Sequence, residues 1–112
     1  MTTTDLIEKL RQAPQPFAEV MAVIDAEYDF TPTAFANGDQ RNAAGSNNGS
    51  CKIFAFGQLH QLNEQATLNA FGDFYTKDVL ENPTGSDHAN IRNFIRMGWS
   101  GINFEGEPLQ PK

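Results

Sequence analysis

The hydrophobic residues of the chain recur at the spacing of a helix face in four segments. Residues i, i+3, i+4 and i+7 lie on one side of a helix, so each of these segments is predicted to form an amphipathic helix. The four predicted helices are residues 5–12, 16–28, 63–81 and 87–97. The most regular apolar stripe lies in the third of them and consists of Leu68, Phe71, Tyr75 and Val79. Gly72 interrupts this stripe and lowers the helix stability by about 1 kcal/mol relative to alanine.

The middle of the chain fits two secondary structures. Ile53 and Phe56 fall at helical spacing, and Ser50 is a suitable N-cap for a helix over residues 50–62. Apolar residues also occupy both faces of Cys51–Gly57, as they do in a buried strand. We favour the helix because this segment is long for a strand, and the strand stays open as the alternative.

Two further segments favour extended backbone. Residues 28–35 combine aromatic residues and threonines with Pro32, which is excluded from helix interiors and from central strands. Residues 102–105 alternate apolar and polar side chains. We therefore predict a short two-stranded β-ribbon between these segments, followed by a frayed tail at residues 107–112. Trp99 is predicted to fold back on the end of the last helix.

These elements together predict one compact domain over residues 1–112. Its class would be mainly α, with α+β character only at the margin, and it would contain four to five helices and the two-stranded ribbon. A chain of 112 residues with 39% hydrophobic residues can build one core but has no surplus for a second.

The charge of the chain restricts its partners. The formal net charge is −6 and no basic run is present, so we expect neither nucleic acid nor an anionic membrane as a partner. The chain does not begin with a basic segment followed by an apolar one, and no apolar run reaches membrane-spanning length. We therefore expect no Sec signal peptide and a cytoplasmic location.

Cys51 is the only cysteine of the chain and the first candidate for chemistry. If Ser50 caps a helix, the helix dipole lowers the pKa of the Cys51 thiol. His88, beside Asp87, would then complete a set in which a thiolate attacks, an imidazole carries the proton and a carboxylate orients the imidazole. The sequence leaves open whether Cys51 and His88 meet, and a lone cysteine is more often a small buried apolar residue.

Metals and cofactors are not expected. One cysteine excludes an internal disulfide and a multi-cysteine zinc site, and the two histidines have no ligand spacing relative to it.

The polar stretch Asn42–Ser50, NAAGSNNGS, is the second candidate. Its glycines do not match the spacing of a phosphate-binding loop. Because asparagine and serine hydrogen-bond to backbone, we expect the stretch to be ordered and to pack near the helix starts at Ser50 and Ser86. The candidate binding site is then a concave polar patch lined by Asn48, Ser50, His88 and Arg92. The alternative is a loop that is ordered for stability alone.

Three long strings of the chain resemble the HopJ type III effector family: NAAGSNNGSCKIFAFGQL (42–59), FGDFYTKDVLENPTGSDHANIRNFI (71–95) and GWSGINFEG (98–106). The resemblance is strongest over residues 28–112. It implies a protein that a bacterial type III secretion system delivers into host cells. It implies no known enzymatic activity, and therefore action on an unidentified protein partner. The alternatives are a small enzyme that uses Cys51 and His88, and a housekeeping protein that shares the fold without secretion. The oligomeric state stays open.

Overall fold

The computed structural model describes residues 1–112 and contains five α-helices, five short strands, a π-helix and a 3-10 helix. In chain order the elements are α1 (Thr3–Gln12), α2 (Phe17–Glu27), β1 (Tyr28–Phe30), β2 (Phe35–Asn37), β3 (Gln40–Asn42), α3 (Asn48–Leu59), α4 (Glu64–Asn69), the π-helix (Phe74–Val79), α5 (Ala89–Met97), the 3-10 helix (Gly98–Gly101), β4 (Ile102–Phe104) and β5 (Leu109–Pro111). None of the helices combines the length and the apolar character that crossing a membrane requires.

The strands form two small antiparallel sheets, so the fold is α+β and the predicted single ribbon is wrong. One sheet has the strand order β3-β2-β4 and the other pairs β1 with β5. Phe35 lies opposite Phe104 in the first sheet, so the predicted pairing is right only at the end of the 28–35 segment. The segment divides because Pro32 separates β1 from β2 and has no N–H for a ladder.

The C-terminal residues are part of the fold, and the predicted frayed tail is wrong. Leu109 pairs with Phe30 and is buried, with 7% of its surface exposed. The backbone N–H of Lys112 donates to the carbonyl of Glu27 at 3.0 Å. The tail is ordered because its one large apolar side chain enters the core.

The predicted helix in the middle of the chain is confirmed as α3, and the strand alternative is wrong. The helix begins at Asn48, two residues before the predicted cap Ser50. Residues 53–57 are all buried, because neighbouring elements cover this helix on every side. Its apolar residues therefore do not form a stripe on one helix face, which explains why this segment of the sequence fits both a helix and a strand. Phe54 lies at its centre, where its ring contacts the rings of Phe71 and Phe94.

The predicted long helix at residues 63–81 is broken into α4 and the π-helix. The chain changes direction at Gly72, whose φ of +57° is strained for any other residue. The backbone between α1 and α2 packs against this break, and a Cβ on Gly72 would lie 2.6 Å from the carbonyl oxygen of Gln15. The predicted stripe is nevertheless buried throughout. The pattern therefore identified the buried residues correctly but not the backbone that carries them.

The last helix begins at Ala89, and its N-cap is His88 instead of Ser86. Trp99 packs on its end as predicted: its ring contacts Phe54 and Phe94, and its Nε1 donates to the carbonyl of Leu62 at 2.9 Å. These contacts fix α5 against α3 and the start of α4.

Candidate functional site

A cavity of about 500 Å³ lies between the starts of α3 and α5, and we call it the α3–α5 cavity. One side of it is aromatic and is formed by Phe17, Phe71 and Phe74. The other side is polar and includes Asn47, Ser50 and His88. Its volume lies within the range of small-molecule and side-chain pockets.

Both helices begin in the same unusual way at this cavity. The residue before each helix has left-handed backbone, with φ of 53° at Asn47 and 51° at His88, and neither side chain caps its helix. Hydrogen bonding within each helix begins only at Cys51 and Arg92. The N–H groups of the first turns therefore have no acceptor in the protein, and the positive ends of two helix dipoles meet at one cavity.

His88 is held in place by acidic and aromatic neighbours. Its Nε2 lies 3.0 Å from Oδ2 of Asp78 and 3.9 Å from Oδ2 of Asp87. The centre of its ring is 5.3 Å from that of Phe74, which belongs to the aromatic side of the cavity. A hydrogen bond from Arg92 holds the pKa of Asp87 below its usual value, so Asp87 stays ionised beside the imidazole. The imidazole is thus fixed in orientation by Asp78 and Phe74.

A cluster of buried asparagines positions the two helix starts. Asn42, at the end of β3, exchanges hydrogen bonds with Asn90 in the first turn of α5. Its Oδ1 also accepts a hydrogen bond from Nδ2 of Asn47 at 2.7 Å, so one side chain contacts the starts of both helices. Asn37 extends the cluster by donating to the carbonyl of Asn90 at 2.8 Å.

Sequence reasoning missed this cluster. A signal was present, because Asn90 lies four residues before the core residue Phe94 and so falls on the buried face of the helix.

The structure brings together two of the four residues predicted for the patch. Ser50 and His88 both line the α3–α5 cavity, whereas Asn48 and Arg92 do not. Asn48 is exposed at the first position of α3. Arg92 binds the carboxylate of Asp87 at 2.6 Å and the carbonyl of Asn82 at 2.8 Å, and it lines a neighbouring groove. The predicted patch is therefore wrong as a single surface: two of its residues line the cavity, Arg92 lines the groove, and Asn48 lines neither.

Cys51 lies in the core and outside the cavity. It is 1% exposed, and its Sγ donates to the carbonyl of Thr33 at 3.6 Å. Burial raises the pKa of the thiol to about 11 and outweighs the lowering by the hydrogen bond with Thr33. His88 is hydrogen-bonded to Asp78, and no hydrogen bond joins it to Cys51. No group of three or more metal-ligating side chains is placed to hold a metal ion.

Comparison with known proteins yields one family and one solved structure. The family model described as HopJ type III effector protein matches residues 3–109. The solved structure is described as the crystal structure of an unknown function protein, VPA0580, and its chain is 51% identical to this one. The match covers 97% of this chain and 92% of that chain, with a TM-score of 0.94. No curated protein matches the chain significantly.

Proposed function

Because this chain belongs to the HopJ type III effector family, we propose that it acts by binding a partner protein through the α3–α5 cavity and not by catalysis. The observation that carries the proposal is the meeting of two helix starts at one cavity. A projecting side chain of a partner would enter the cavity, place its apolar part on Phe17 and Phe74, and accept hydrogen bonds from the first turn of α3 or α5. Such a pocket provides specificity through a few fixed polar groups on an apolar wall.

The position of Cys51 supports binding over catalysis. A thiol acts as a nucleophile through its thiolate, and a thiol with a pKa of about 11 is almost entirely protonated at neutral pH. It is also sealed in the core and hydrogen-bonded to Thr33. An enzyme that uses Cys51 and His88 is therefore the weaker alternative.

We extend the proposal to the cell in which the protein binds its partner. The family description names a type III effector, and we propose that the protein is delivered to a host cell and meets its partner there. The second candidate is a housekeeping protein that has the same fold and binds its partner in the bacterial cytoplasm.

Filling the cavity tests the binding role. The variant Ser50→Tyr places a large ring on a cavity wall, and the matched control Ser46→Tyr places the same ring on an exposed turn outside it. Both variants and the unaltered protein are used as bait in a host lysate and in a lysate of the source bacterium, after circular dichroism shows that each is folded.

We expect one host protein that the unaltered protein and Ser46→Tyr retain and that Ser50→Tyr loses. A cavity-dependent partner found only in the bacterial lysate would favour the housekeeping candidate. If no captured protein depends on Ser50, the cavity is not the binding site and the proposal fails.

A further inference from the structure

A second concave surface adjoins the α3–α5 cavity, and we call it the α5 groove. It has a volume of about 480 Å³ and lies between α5 and the residues that follow the π-helix. Ser86 and Ala89 line both the cavity and the groove, so the two form one continuous surface around the start of α5. The residues that characterise the groove are Leu80, Pro83, Arg92, Ile95 and Arg96.

The groove presents large apolar side chains to solvent. Leu80 is 51% exposed and Ile95 is 45% exposed, although their chain neighbours Val79 and Phe94 are buried in the core. Two large apolar side chains at one groove, with a polar rim, are typical of a surface that contacts another molecule. They provide the apolar contacts of a docking site.

The groove also has a charge opposite to that of the whole chain. The chain carries 14 acidic and 8 basic residues, yet the charged residues that line the groove are both arginines. Arg92 is neutralised by Asp87. Arg96 is exposed and has no carboxylate within salt-bridge distance, and its guanidinium donates a hydrogen bond to Oδ1 of Asn93. It is therefore the free cation of the groove in the sense that no carboxylate neutralises it. Asp78 is held by His88, and Glu81 is exposed next to Leu80 in the chain. Oδ1 of Asp39 accepts a hydrogen bond at 3.3 Å from Nδ2 of Asn93, which lines the groove.

We propose that the α5 groove docks an acidic, apolar segment of the partner protein. A carboxylate of that segment would bind the guanidinium of Arg96 while one or two bulky apolar side chains cover Leu80 and Ile95. A second copy of this chain fits less well because two chains of net charge −6 repel each other, and one free cation is too few for an anionic membrane. This inference rests on the proposed binding function but uses a different surface from the α3–α5 cavity.

Phage display of random dodecapeptides tests the occupant directly. The unaltered protein is the bait, and enriched peptides are then synthesised and titrated against variants. Arg96→Glu reverses the free cation and Ile95→Glu removes the apolar contact. The matched controls are Arg11→Glu and Leu59→Glu, which make the same changes at exposed positions on α1 and α3. Thermal unfolding of each variant checks that it is folded.

We expect enriched peptides to carry Asp or Glu beside Leu, Ile or Phe. Their Kd should rise about tenfold or more in each groove variant, which corresponds to about 1.4 kcal/mol, and less than twofold in each control. The Ser50→Tyr variant should bind them unchanged.

Four outcomes would overturn the inference, the last of them a dimer. The first is no enrichment, or enriched peptides without acids. The second is equal binding by Arg96→Glu. The third is loss of binding in Ser50→Tyr but not in Ile95→Glu, which would place the peptide in the cavity and so support the proposed function while refuting the groove. A dimer of the unaltered protein in sedimentation that Ile95→Glu abolishes would assign the groove to a second copy instead.

Discussion

Asn42 and Asn90 exchange two side-chain hydrogen bonds in the interior of the protein. Nδ2 of Asn42 donates to Oδ1 of Asn90 at 3.2 Å, and Nδ2 of Asn90 donates to Oδ1 of Asn42 at 2.9 Å. Both side chains are buried, with 3% and 6% of their surfaces exposed. The pair joins the end of β3 to the first turn of α5. Because Oδ1 of Asn42 also accepts a hydrogen bond from Asn47 at the start of α3, the pair links the two helix starts that line the α3–α5 cavity.

Removing either amide of this pair should destabilise the fold. Asn42→Ala and Asn90→Ala each leave a buried amide without its partner, and we expect a loss of about 1–3 kcal/mol in the free energy of unfolding. The loss in the double variant should be smaller than the sum of the losses in the two single variants, because the second substitution removes the amide that the first left unpaired. Urea denaturation measures all three, with exposed Asn103→Ala as the control. Strictly additive losses would show that the two side chains do not act as a pair.

The break at Gly72 should be intolerant of any side chain. Gly72→Ala combines a φ of +57° with a Cβ placed 2.6 Å from the carbonyl oxygen of Gln15, so we expect a loss of about 2 kcal/mol or more. Gly45→Ala is the matched control, since its φ of +90° is also strained but no atom lies within 4 Å of its Cβ. Gly45→Ala should lower the free energy of unfolding by about 1 kcal/mol. The difference in urea midpoint between the two variants then measures the effect of the steric clash at residue 72. Equal losses would mean that strain alone accounts for the effect.

The sequence predicted helices correctly where one face of the helix is buried and the other is exposed. Val20 and Ile24, for example, fall at helical spacing and are both fully buried on α2. It failed at Gly72, because the chain breaks there to admit the backbone of Gln15, a residue far away in the sequence. The prediction of a frayed tail failed for a related reason. Leu109 is a single apolar residue between two prolines, so it forms no periodic pattern, and it is buried only because its strand pairs with β1.

The candidate site was predictable to a similar degree. Ser50 and His88 could be placed together because each follows a polar turn at the expected start of a helix, and the structure puts both on the α3–α5 cavity. Arg92 could not be placed. The backbone carbonyls and the Asp87 carboxylate that hold it come from the loop between the π-helix and α5, and hydrophobic periodicity does not predict the path of a loop.

The thiol of Cys51 should react slowly in the folded protein. Its burial and its raised pKa of about 11 both keep the thiolate population low. We expect modification by DTNB at pH 8 to be at least about a hundredfold slower in the native protein than in urea, and Cys51→Ala to bind the same partner as the unaltered protein. Fast stoichiometric modification without denaturant would contradict the burial of this side chain and would revive the enzyme alternative.

The C-terminal strand should contribute to stability through Leu109. Leu109→Ala removes a side chain that is 7% exposed and packs in the core, so we expect a loss of about 2 kcal/mol or more in the free energy of unfolding. Gln110→Ala, on the exposed neighbouring position of β5, should change it by less than about 0.5 kcal/mol. Thermal unfolding distinguishes the two. Equal melting temperatures for both variants would indicate that the C-terminal residues are frayed after all.

His60 should make the fold less stable as the pH falls through the range in which histidine titrates. Burial lowers its pKa in the folded protein below the value of 6.5 that it has in the unfolded chain, and its Nε2 lies 2.5 Å from the hydroxyl of Tyr28. The unfolded chain therefore binds a proton more readily than the folded protein does. The stabilisation is fully present above pH 6.5 and is lost as the pH falls through the folded pKa.

We expect the urea midpoint of the unaltered protein to decrease between about pH 7.5 and pH 5.5, which is above the range in which exposed carboxylates titrate. His60→Gln should remove the part of this decrease that arises from His60. His88→Gln, which keeps His60 and its contact with Tyr28, should retain that part. A midpoint that decreases equally in the unaltered protein and in His60→Gln would show that His60 takes up its proton equally well in both states. Its burial against Tyr28 and Phe56 would then have no effect on its charge.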